Sequence, residues 1–410
     1  MKFFNVKTVT ETLEVIAGEF RPNRPPIEVS LIDALDMVLA EDIISCEQVP
    51  HFARSTVDGY AVRARDTYGA SDSLPAFLDV TGKIEMGKEA SLLIREGQAQ
   101  SIPTGGMIPD GADSVVMIEH VEEVGDMLNV YRQVAPGENI IRAGDDVEKG
   151  ELVIAAGQRL RPQDLGVLSA IGKTRVLVYP RPIVAILSTG DEIVPADKKE
   201  LAPGEIRDIN SITVAAAARQ CGAEVIDGGI VPDDYSSFAQ KAKELFERSD
   251  LLLLSGGSSV GTRDYTEQVM QSLGDPGVLV HGVSIKPGKP TILAKAGNKP
   301  VVGLPGHPAS ALIIFHLFVA PLIKRLQGQE LAQYDQRILA RISRNIASAV
   351  GRSDYIRVKL EEREGGLWAV PVFGKSGLIS TLVKSDGMVE ISANKEGILE
   401  GEIVHVHLFQ

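Results

Sequence analysis

The spacing of apolar residues changes several times along the chain, and each change predicts a different kind of structure. Over 6–16 and again over 31–39, apolar residues recur every three or four positions, as they do in amphipathic helices. Ser30 followed by Asp33 adds a capping signal to the second segment. Over 127–134 the residues alternate with period two, which is typical of a half-buried strand. The chain is therefore predicted to begin with two helices and to continue into a mostly β segment.

From residue 174 to about residue 326, short apolar runs alternate with helical segments. Strands buried on both faces have this continuous apolar character, and the runs lie at 183–187, 224–230, 251–254 and 301–304. Asn210 is a candidate N-cap for the helix that follows it, and Pro308 suits the first turn of a helix running to residue 326. This order of elements predicts a doubly wound α/β domain.

After residue 327 the pattern becomes β again. Short strand patterns at 355–360 and 403–409 are divided by glycine-containing turns. At about 150 residues per domain, the 410 residues predict roughly three domains. The last segment is therefore predicted to be a separate all-β domain.

Composition narrows the class of partner. The net charge of −13 opposes a nucleic-acid or membrane-surface role, because both partners are polyanions that proteins bind mainly through lysine and arginine. Cys46 and Cys221 lack the spacing of a disulfide framework or a thiolate metal site. The N-terminus lacks the apolar stretch of a signal peptide. The apolar run at 311–323 is too short for a bilayer span, so we expect a buried helix there. The two isolated cysteines fit a reducing cytoplasm.

The candidate chemistry lies in the loops that follow the predicted strands. Ligands of doubly wound sheets bind outside the carboxyl ends of the strands. Five such loops are rich in glycine, proline or charge, and they occupy 188–192 (S-T-G-D-E), 232–234 (P-D-D), 255–264 (S-G-G-S-S-V-G-T-R-D), 286–290 (K-P-G-K-P) and 303–308 (G-L-P-G-H-P). Their occurrence on one predicted edge, more than any single loop, indicates a binding site.

The residue types in these loops indicate a phosphorylated ligand and a cation. Glycines let backbone N–H groups turn toward an anion, and Lys286 and Lys289 supply positive charge. The carboxylates of Glu192, Asp234 and Asp264 would repel a phosphate unless a hard cation lay between them. The set therefore predicts phosphate, magnesium and a transferred group.

Each loop also has a purely structural interpretation. Asp191 and Glu192 could cap a helix, and Asp234 could cap the helix that begins near residue 235. The two lysines could be solvated residues of a stiff turn. His307 is interpreted as a loop residue and His316 as a core histidine, because no second ligand stands at metal-ligand spacing.

Three polar loops lie outside the α/β domain. They occupy 54–61 (R-S-T-V-D-G-Y-A), 103–113 (P-T-G-G-M-I-P-D-G-A-D) and 144–147 (G-D-D-V). Alone, the first two are more typical of hairpin turns than of a ligand site.

Taken together, these motifs resemble those of the molybdopterin molybdenumtransferase family, which is related to the gephyrin E domain. The resemblance covers essentially the whole chain and rests on S-T-V-D-G-Y-A-V, P-T-G-G with P-D-G-A-D-S-V-V-M, G-D-D-V, S-T-G-D-E, S-G-G-S-S-V-G-T-R-D-Y, I-K-P-G-K-P and G-L-P-G-H-P-A-S-A, in the family's order. Two departures are His307, where the family often has asparagine, and the Ser258–Ser259 pair, where Val-Ser is more usual.

The resemblance implies four domains and an elongated homodimer with a composite active site. The implied domains are a helical and extended domain (1–45 with 139–173), an inserted mostly β domain (46–138), the α/β molybdopterin-binding domain (174–328) and a C-terminal β-barrel domain (329–410). The implied reaction is Mg²⁺-dependent insertion of molybdate into adenylylated molybdopterin with release of AMP. The upstream adenylyltransferase and acceptor molybdoenzymes are implied partners.

The resemblance also implies a role for each motif residue. Glu192, Asp234 and Asp264 would serve Mg²⁺ and the phosphates, Lys286 and Lys289 would bind anions, and Asp58, Thr104 and Asp146 would form the facing wall. In the proposed composite site, Asp58 and Thr104 reach Lys286 and Asp264 of the other subunit. The remaining cofactor-binding positions are Ser188, Thr189, Gly190, Ser255, Gly256, Gly257, Ser258, Pro305 and Gly306.

Two other functions are compatible with part of the sequence. S-T-G-D-E and S-G-G-S-S are also similar to the molybdopterin adenylyltransferase domain, but that enzyme needs only the α/β domain. A non-catalytic scaffold like gephyrin would not need the set of acids and lysines.

Overall fold

The computed structural model describes residues 6–256, 265–330 and 337–409, and the chain divides into two units. The first unit comprises Met1–Ala40, Gly157–Leu160 and Val176–Gln410, and the second comprises Glu41–Ala156 and Arg161–Arg175. Helices and strands are mixed, and the predicted multidomain fold class is confirmed. The domain boundaries given above stay predictions.

From residue 6 onward, where the structure describes it, the N-terminal segment contains one helix instead of two. Helix α1 (Val9–Glu19) begins at a capping box formed by Thr8 and Glu11, and it is followed by strands β1 (Ile27–Ser30) and β2 (Val38–Leu39). The predicted helix over 31–39 is wrong. Asp33 is hydrogen-bonded to Ser30, but the single turn that they start ends at Asp36, whose φ is 65°. Beyond it, backbone pairing with residues 158 and 177 draws the chain into a strand.

The second unit is mostly β, as predicted. Its elements are β3 (Ile43–Ile44), β4 (Arg54–Ser55), β5 (Gly59–Val62), β6 (Ala76–Lys83), β7 (Gln98–Ile102), β8 (Ser114–Met117), β9 (Val121–Val124), β10 (Met127–Val130), β11 (Ile140–Ile141), β12 (Leu152–Ile154) and α2 (Pro162–Ala170), with 3₁₀ turns at Ala64–Thr67 and Ile118–His120. The main sheet has the order β8-β5-β7-β6-β10-β9. Leu128 and Val130 of the alternating segment are fully buried in its core.

The α/β part of the first unit follows the predicted order of elements. It contains β13 (Arg175–Tyr179), β14 (Ile183–Thr189), β15 (Ile193–Val194), β16 (Ile206–Arg207), α3 (Asn210–Gln220), β17 (Glu224–Val231), α4 (Tyr235–Arg248), β18 (Leu251–Ser255), α5 (Thr266–Ser272), β19 (Pro276–His281), β20 (Ile285–Lys286), β21 (Ile292–Ala296), β22 (Lys299–Leu304), α6 (Pro308–Ile314), a π-helical turn (Phe315–Val319) and α7 (Ala320–Leu326). The sheet order is β17-β14-β18-β22-β21-β19. The first four strands are parallel, and β21 and β19 complete the sheet in antiparallel pairing.

Helices cover both faces of this sheet, which is the reason its central strand β18 is apolar over four successive residues. In β18, Leu251 and Leu253 pack with α3, α6 and α1 on one face, whereas Leu252 and Leu254 pack with α4 and α5 on the other. All four leucines are fully buried. The predicted doubly wound arrangement is confirmed.

The helical segment Pro308–Leu326 has Pro308 in its first turn, as predicted. Its 19 residues are long and apolar enough to span a membrane, but 72% of the apolar window is buried inside the protein, as in the core helices of soluble proteins. His316 lies in the π-helical turn, and its ring packs against Phe409 at 5.1 Å and Phe315 at 5.9 Å between centroids.

The C-terminal segment closes into a barrel. Its elements are β23 (Arg337–Ile342), β24 (Ile346–Ala347), β25 (Ser353–Arg363), β26 (Gly366–Pro371), α8 (Ser380–Val383), β27 (Gly387–Ile391), β28 (Gly397–Ile398) and β29 (Ile403–Leu408). The pairing runs β25-β26-β23-β29-β27, and β27 also pairs with β25, which completes a ring of five strands. Strand β20 of the α/β part adds to the barrel by parallel pairing with β25.

Candidate active site

The predicted loops of the α/β part end at one edge of its sheet. Strands β14, β17, β18 and β22 are parallel, so the loops that follow them lie at the same edge. Strand β21 runs in the opposite direction, with Ile292 opposite Gly303. The segment 286–290 therefore reaches this edge as well, because it directly precedes the start of β21. The edge carries the predicted positions Ser188, Thr189, Gly190, Ser255, Gly256, Pro305 and Gly306 together with the lysine loop.

Buried polar groups form the floor of this edge. Ser188, Ser255 and Asn210 are 3%, 4% and 6% exposed. The Asn210 side-chain amide donates hydrogen bonds to Ser255 Oγ at 2.9 Å and to the Gly306 carbonyl at 3.0 Å. Within the described residues, Ser188 Oγ and Asn210 Oδ1 have no hydrogen-bond partner. A buried polar atom without a partner costs about 1–3 kcal/mol, so these two atoms leave hydrogen-bonding capacity unused at this edge.

The sequence predicts Asn210 as a helix cap and gives no indication of its place at this edge. That interpretation is wrong, because the cap position is Ile209 and the capping carboxylate is that of Asp208, which accepts hydrogen bonds from the N–H and the hydroxyl of Ser211. Asp208 and Ser211 are three residues apart, and this spacing is the sequence signal that could have identified Asp208 as the capping residue. The side chain of Asn210 would then have been available for another role.

A hydrogen-bonded aspartate joins two of the predicted loops. Thr189 donates its hydroxyl to Asp233 Oδ1 at 2.7 Å, and the Asp233 N–H donates to Asp191 Oδ1 at 3.0 Å. The helix-capping interpretation of Asp191 and Glu192 is wrong, since strand β15 follows them instead of a helix.

The structural interpretation of Asp234 is confirmed. Its Oδ1 accepts hydrogen bonds from the N–H groups of Ser236 at 3.0 Å and Ser237 at 3.2 Å, at the N-terminus of α4. Hydrogen bonding with Ser237 is the main reason that the pKa of Asp234 lies below its ordinary value, and the N–H of Ser236 adds to the effect. The carboxylate is exposed and therefore carries a negative charge at neutral pH.

The predicted magnesium ligands are only partly within the described residues. Glu192 and Asp234 are exposed carboxylates at the sheet edge, whereas Asp264, Gly257 and Ser258 lie outside the described residues. Over residues 6–256, 265–330 and 337–409, no group of three or more His, Cys, Asp or Glu side chains could hold a metal ion. The three-carboxylate set therefore stays a prediction.

Two glycines allow close backbone approaches at the edge. A Cβ on Gly256 would lie 2.2 Å from the Thr189 carbonyl oxygen, and one on Gly288 would lie 2.6 Å from Ile314 Cδ1; their φ values are +106° and +113°. Both positions therefore require glycine. Gly306 differs from them, because nothing lies within 4 Å of a Cβ built there. This open position leaves the backbone accessible to a ligand.

Lys286 and Lys289 are exposed at this edge, and each makes a contact with another part of the chain. Lys286 belongs to β20, and its Nζ lies 4.0 Å from Asp354 Oδ2 in the barrel. The carbonyl of Lys289 accepts a hydrogen bond from the Val283 N–H at 3.0 Å. The lysine loop is therefore anchored at its backbone while the side chains face solvent.

His307 is a loop residue, as predicted, and it contacts the C-terminal segment. Its Nδ1 lies 3.1 Å from Ser376 Oγ, and the Ala309 N–H donates to the Ser376 carbonyl at 3.1 Å. The loop at 303–308 is thereby joined to the chain that follows barrel strand β26.

A cavity of about 520 Å³ opens beside the loop that follows β14. Its size is within the range of small-molecule pockets. Its walls come from the loop after β14, the end of β17 and the start of α3, and the lining residues include Gly190, Asp191, Ile193, Asp208, Ile212, Ile230 and Pro232.

In the second unit, two of the predicted site residues lie in direct contact. Asp58 Oδ1 accepts hydrogen bonds from the Thr104 N–H at 2.7 Å and from its hydroxyl at 3.1 Å. Asp146 is exposed in a neighbouring turn, where its N–H donates to the Val49 carbonyl at 3.0 Å. Within the described part of the chain, its carboxylate is not hydrogen-bonded to Asp58 or Thr104.

Three family models match the chain in order. The MoeA N-terminal region (domain I and II) matches residues 7–172, a probable molybdopterin binding domain matches residues 185–325, and the MoeA C-terminal region (domain IV) matches residues 340–409. The resemblance inferred from the motifs is confirmed over nearly the whole chain.

Named relatives agree with these matches. A putative molybdopterin biosynthesis protein of Methanocaldococcus jannaschii is 35% identical and aligns over 98% of this chain and 96% of its own. A molybdopterin molybdenumtransferase of Haemophilus influenzae is 37% identical over 93% of each chain. The crystal structure of a molybdopterin biosynthesis MoeA protein from Pyrococcus horikoshii is 32% identical, with a TM-score of 0.85 over 99% of this chain and 100% of that chain. This chain therefore belongs to the molybdopterin molybdenumtransferase family.

Proposed function

We propose that this transferase of molybdenum cofactor biosynthesis inserts molybdenum from molybdate into adenylylated molybdopterin, with Mg²⁺, and releases AMP. In this reaction water cleaves the phosphoanhydride between the pterin phosphate and AMP, and AMP leaves. The two dithiolene thiols bind molybdenum, and their two protons leave with one oxo ligand of molybdate as water, so that molybdenum stays Mo(VI). Adenylylated molybdopterin and molybdate are the substrates, and Mg²⁺ is the cofactor.

The observation that carries the proposal is the gathering of lysine-bearing and glycine-rich loops at one sheet edge. Both substrates are anions, and the chain as a whole is acidic. A local group of cations and backbone N–H groups is therefore needed to bind them, and Lys286, Lys289, Gly256 and Gly306 all lie at that edge. The unpartnered Ser188 Oγ and Asn210 Oδ1 add polar atoms that a ligand would satisfy.

The chemistry of the carboxylates at this edge supports Mg²⁺ as the cation of the proposal. Magnesium takes hard oxygen ligands and commonly uses one or two carboxylates together with substrate phosphates and water. Glu192 and Asp234 supply two exposed carboxylates, and Asp264 is the third predicted ligand. When bound, Mg²⁺ would neutralise charge on the phosphates.

The other contributions to catalysis come from the protein's own side chains and backbone N–H groups. Phosphoanhydride cleavage depends mainly on positioning and charge neutralisation. Lys286 and Lys289 bind the anions, and the glycine-rich loops orient the phosphates through their N–H groups. Thr189 and Asp233 hold two of these loops in place through their hydrogen bond. In this proposal Asp58, Thr104 and Asp146 contact the substrate from the facing wall.

The test is direct measurement of AMP. Purified protein is incubated with adenylylated molybdopterin, molybdate and Mg²⁺, and the nucleotides are separated by chromatography. We expect AMP to appear in proportion to enzyme and to fall when molybdate or Mg²⁺ is left out. Absence of AMP under all conditions would refute the proposal, and undiminished release with a chelator would refute the magnesium requirement alone. Glu192→Gln is expected to raise the Mg²⁺ concentration that gives half-maximal rate.

Assays on the same purified protein distinguish two competing functions. A molybdopterin adenylyltransferase would release pyrophosphate from Mg-ATP and molybdopterin, and a scaffold would show neither reaction. The similarity to relatives over nearly the full length, including both flanking regions, favours the transferase proposed here.

We also propose that the protein acts in the cytoplasm, as a homodimer with a composite active site. Its substrate comes from an adenylyltransferase, and its product passes to apo-molybdoenzymes.

A further inference from the structure

One strand of the candidate site belongs to the barrel sheet. In the parallel pair formed by β20 and β25, Ile285 is the register partner of Ser353 and Lys286 is the partner of Asp354. The Ser353 N–H donates to the Ser284 carbonyl at 3.0 Å, and the Ser284 hydroxyl donates to the Gly351 carbonyl at 2.8 Å. The backbone position of Lys286 is therefore set by the barrel.

A buried carboxylate lies beside this lysine. The Asp354 side chain is 4% exposed, its Oδ2 lies 4.0 Å from Lys286 Nζ, and its Oδ1 accepts a hydrogen bond from Arg352 Nε at 2.9 Å. A buried carboxylate is costly unless cations or donors compensate it. Asp354 is compensated by both cations, through a hydrogen bond from Arg352 and an ion pair with Lys286.

The combined charge of Lys286, Arg352 and Asp354 leaves Lys286 able to bind an anion. One carboxylate stands between two cations, so the three side chains together carry one net positive charge. The Lys286 side chain is 61% exposed, so its ammonium remains accessible from solvent. An unconstrained lysine has several rotamers, and each contact that limits them lowers the entropy lost when a ligand binds.

We propose that Asp354 is a positioning residue for Lys286 and that the barrel takes part in the reaction through this carboxylate. Asp354 holds the lysine ammonium near the place where the anionic substrate is bound, while Arg352 compensates the rest of its charge. The inference rests on the proposed function, because Lys286 acts there on an anionic substrate.

The test is a double-mutant cycle on the rate of AMP release. The variants are Asp354→Asn, which keeps the shape of the side chain, Lys286→Ala, and the double variant. We expect about a tenfold lower kcat/KM for Asp354→Asn, at least as large a loss for Lys286→Ala, and a double variant within about twofold of Lys286→Ala. A purely structural effect of Asp354 would lower activity by the same factor in both backgrounds, and that result would overturn the proposal.

The matched control is Asp250→Asn. Asp250 is also a buried aspartate beside an arginine, with Arg24 at 3.7 Å, but it precedes β18 and so lies at the opposite end of that strand from the site. We expect its kcat/KM to stay within about twofold of the unmodified protein. If Asp354→Asn does not fold, Asp354→Ser enters the same cycle, since it also removes the charge, in a smaller side chain.

The outcomes separate this inference from the proposed function. If the unmodified protein releases no AMP, the proposed function fails and the inference fails with it. If the unmodified protein is active and Asp354→Asn or its folded replacement matches it, only the inference is overturned.

Discussion

Asp58 and Thr104, which are 46 positions apart in the sequence, form a paired contact in which one carboxylate oxygen accepts hydrogen bonds from both the N–H and the hydroxyl of the threonine. The two motifs that contain these residues resemble hairpin turns when each is read alone. Their direct contact fixes the carboxylate by two donors, so its position depends on the threonine side chain as well as on the backbone.

Replacing Thr104 by valine removes the hydroxyl and keeps the N–H bond. We expect about a fivefold loss in the rate of AMP release, corresponding to about 1 kcal/mol for one exposed hydrogen bond to a charged group. Thr104→Ser is the matched control, because it keeps the hydroxyl and is expected to remain close to the unmodified rate. Equal rates for the valine and serine variants would show that the hydroxyl has no part in the reaction.

The strands of the α/β part could be predicted because their own residues determine them. Leu251 to Leu254 are apolar on both faces, so no partner needs to be known to recognise a buried strand. The turn after Ser30 shows the opposite case, since its helical spacing was overridden by pairing with residues 158 and 177. Local signals are reliable only where distant pairing does not compete with them.

The site was predictable to a similar degree. The loops could be placed at one edge because parallel strands end together. The pairing of Lys286 with Asp354 could not be predicted, because it joins segments that are 68 residues apart through a two-residue strand. Asn210 was misassigned since either Asp208 or Asn210 can cap a helix start, and only the observed hydrogen bonds decide between them.

The lysine loop makes a prediction about binding. Removing either ammonium by Lys286→Ala or Lys289→Ala removes a charge-assisted contact of about 1.5–3 kcal/mol, which corresponds to roughly ten- to more than hundredfold weaker binding. The measurement is calorimetric titration with adenylylated molybdopterin. Lys243→Ala, an exposed lysine on α4, is the control and should bind normally. Unchanged affinity in both loop variants would refute the anion-site assignment.

The two kinds of glycine at the sheet edge are expected to respond differently to alanine. Gly256→Ala places a Cβ 2.2 Å from a backbone oxygen at a φ of +106°, so the variant should lose about 1–3 kcal/mol of stability from the backbone conformation alone. Gly306→Ala meets no atom within 4 Å and should melt near the unmodified temperature while releasing AMP more slowly. Thermal unfolding and AMP release, measured on both variants, check this. Equal melting temperatures would contradict the contrast.

The proposed composite homodimer predicts recovery of activity on mixing. Asp58→Ala and Asp264→Ala proteins should each be nearly inactive, because every dimer carries the same defect twice. After random subunit exchange of equal amounts, about half the dimers are mixed, and each has one site with both defects and one site with none. Activity should therefore recover to about a quarter of the unmodified level. Activity that stays at the level of the single variants after verified exchange would place Asp58 and Asp264 in the same subunit's site, or Asp58 outside it.

His316 makes a prediction about stability against pH. Burial lowers the pKa of this imidazole from 6.5 to about 4, since desolvation disfavours the charged ring. Between these two values the unfolded chain binds a proton that the folded protein does not, so stability falls as the pH drops from 6.5 toward 4. The contribution is at most about 3.5 kcal/mol, because each pKa unit corresponds to about 1.4 kcal/mol.

The check is denaturant unfolding at pH 7, 5.5 and 4.5 for the unmodified protein and for His316→Phe. Phenylalanine keeps an aromatic ring against Phe409 and cannot bind a proton. We expect the free energy of unfolding to fall less steeply toward acid in the variant than in the unmodified protein, with the difference growing below pH 6.5. Parallel pH dependences would show that His316 is not protonated on unfolding in this range, and the acid sensitivity would then have to come from other groups.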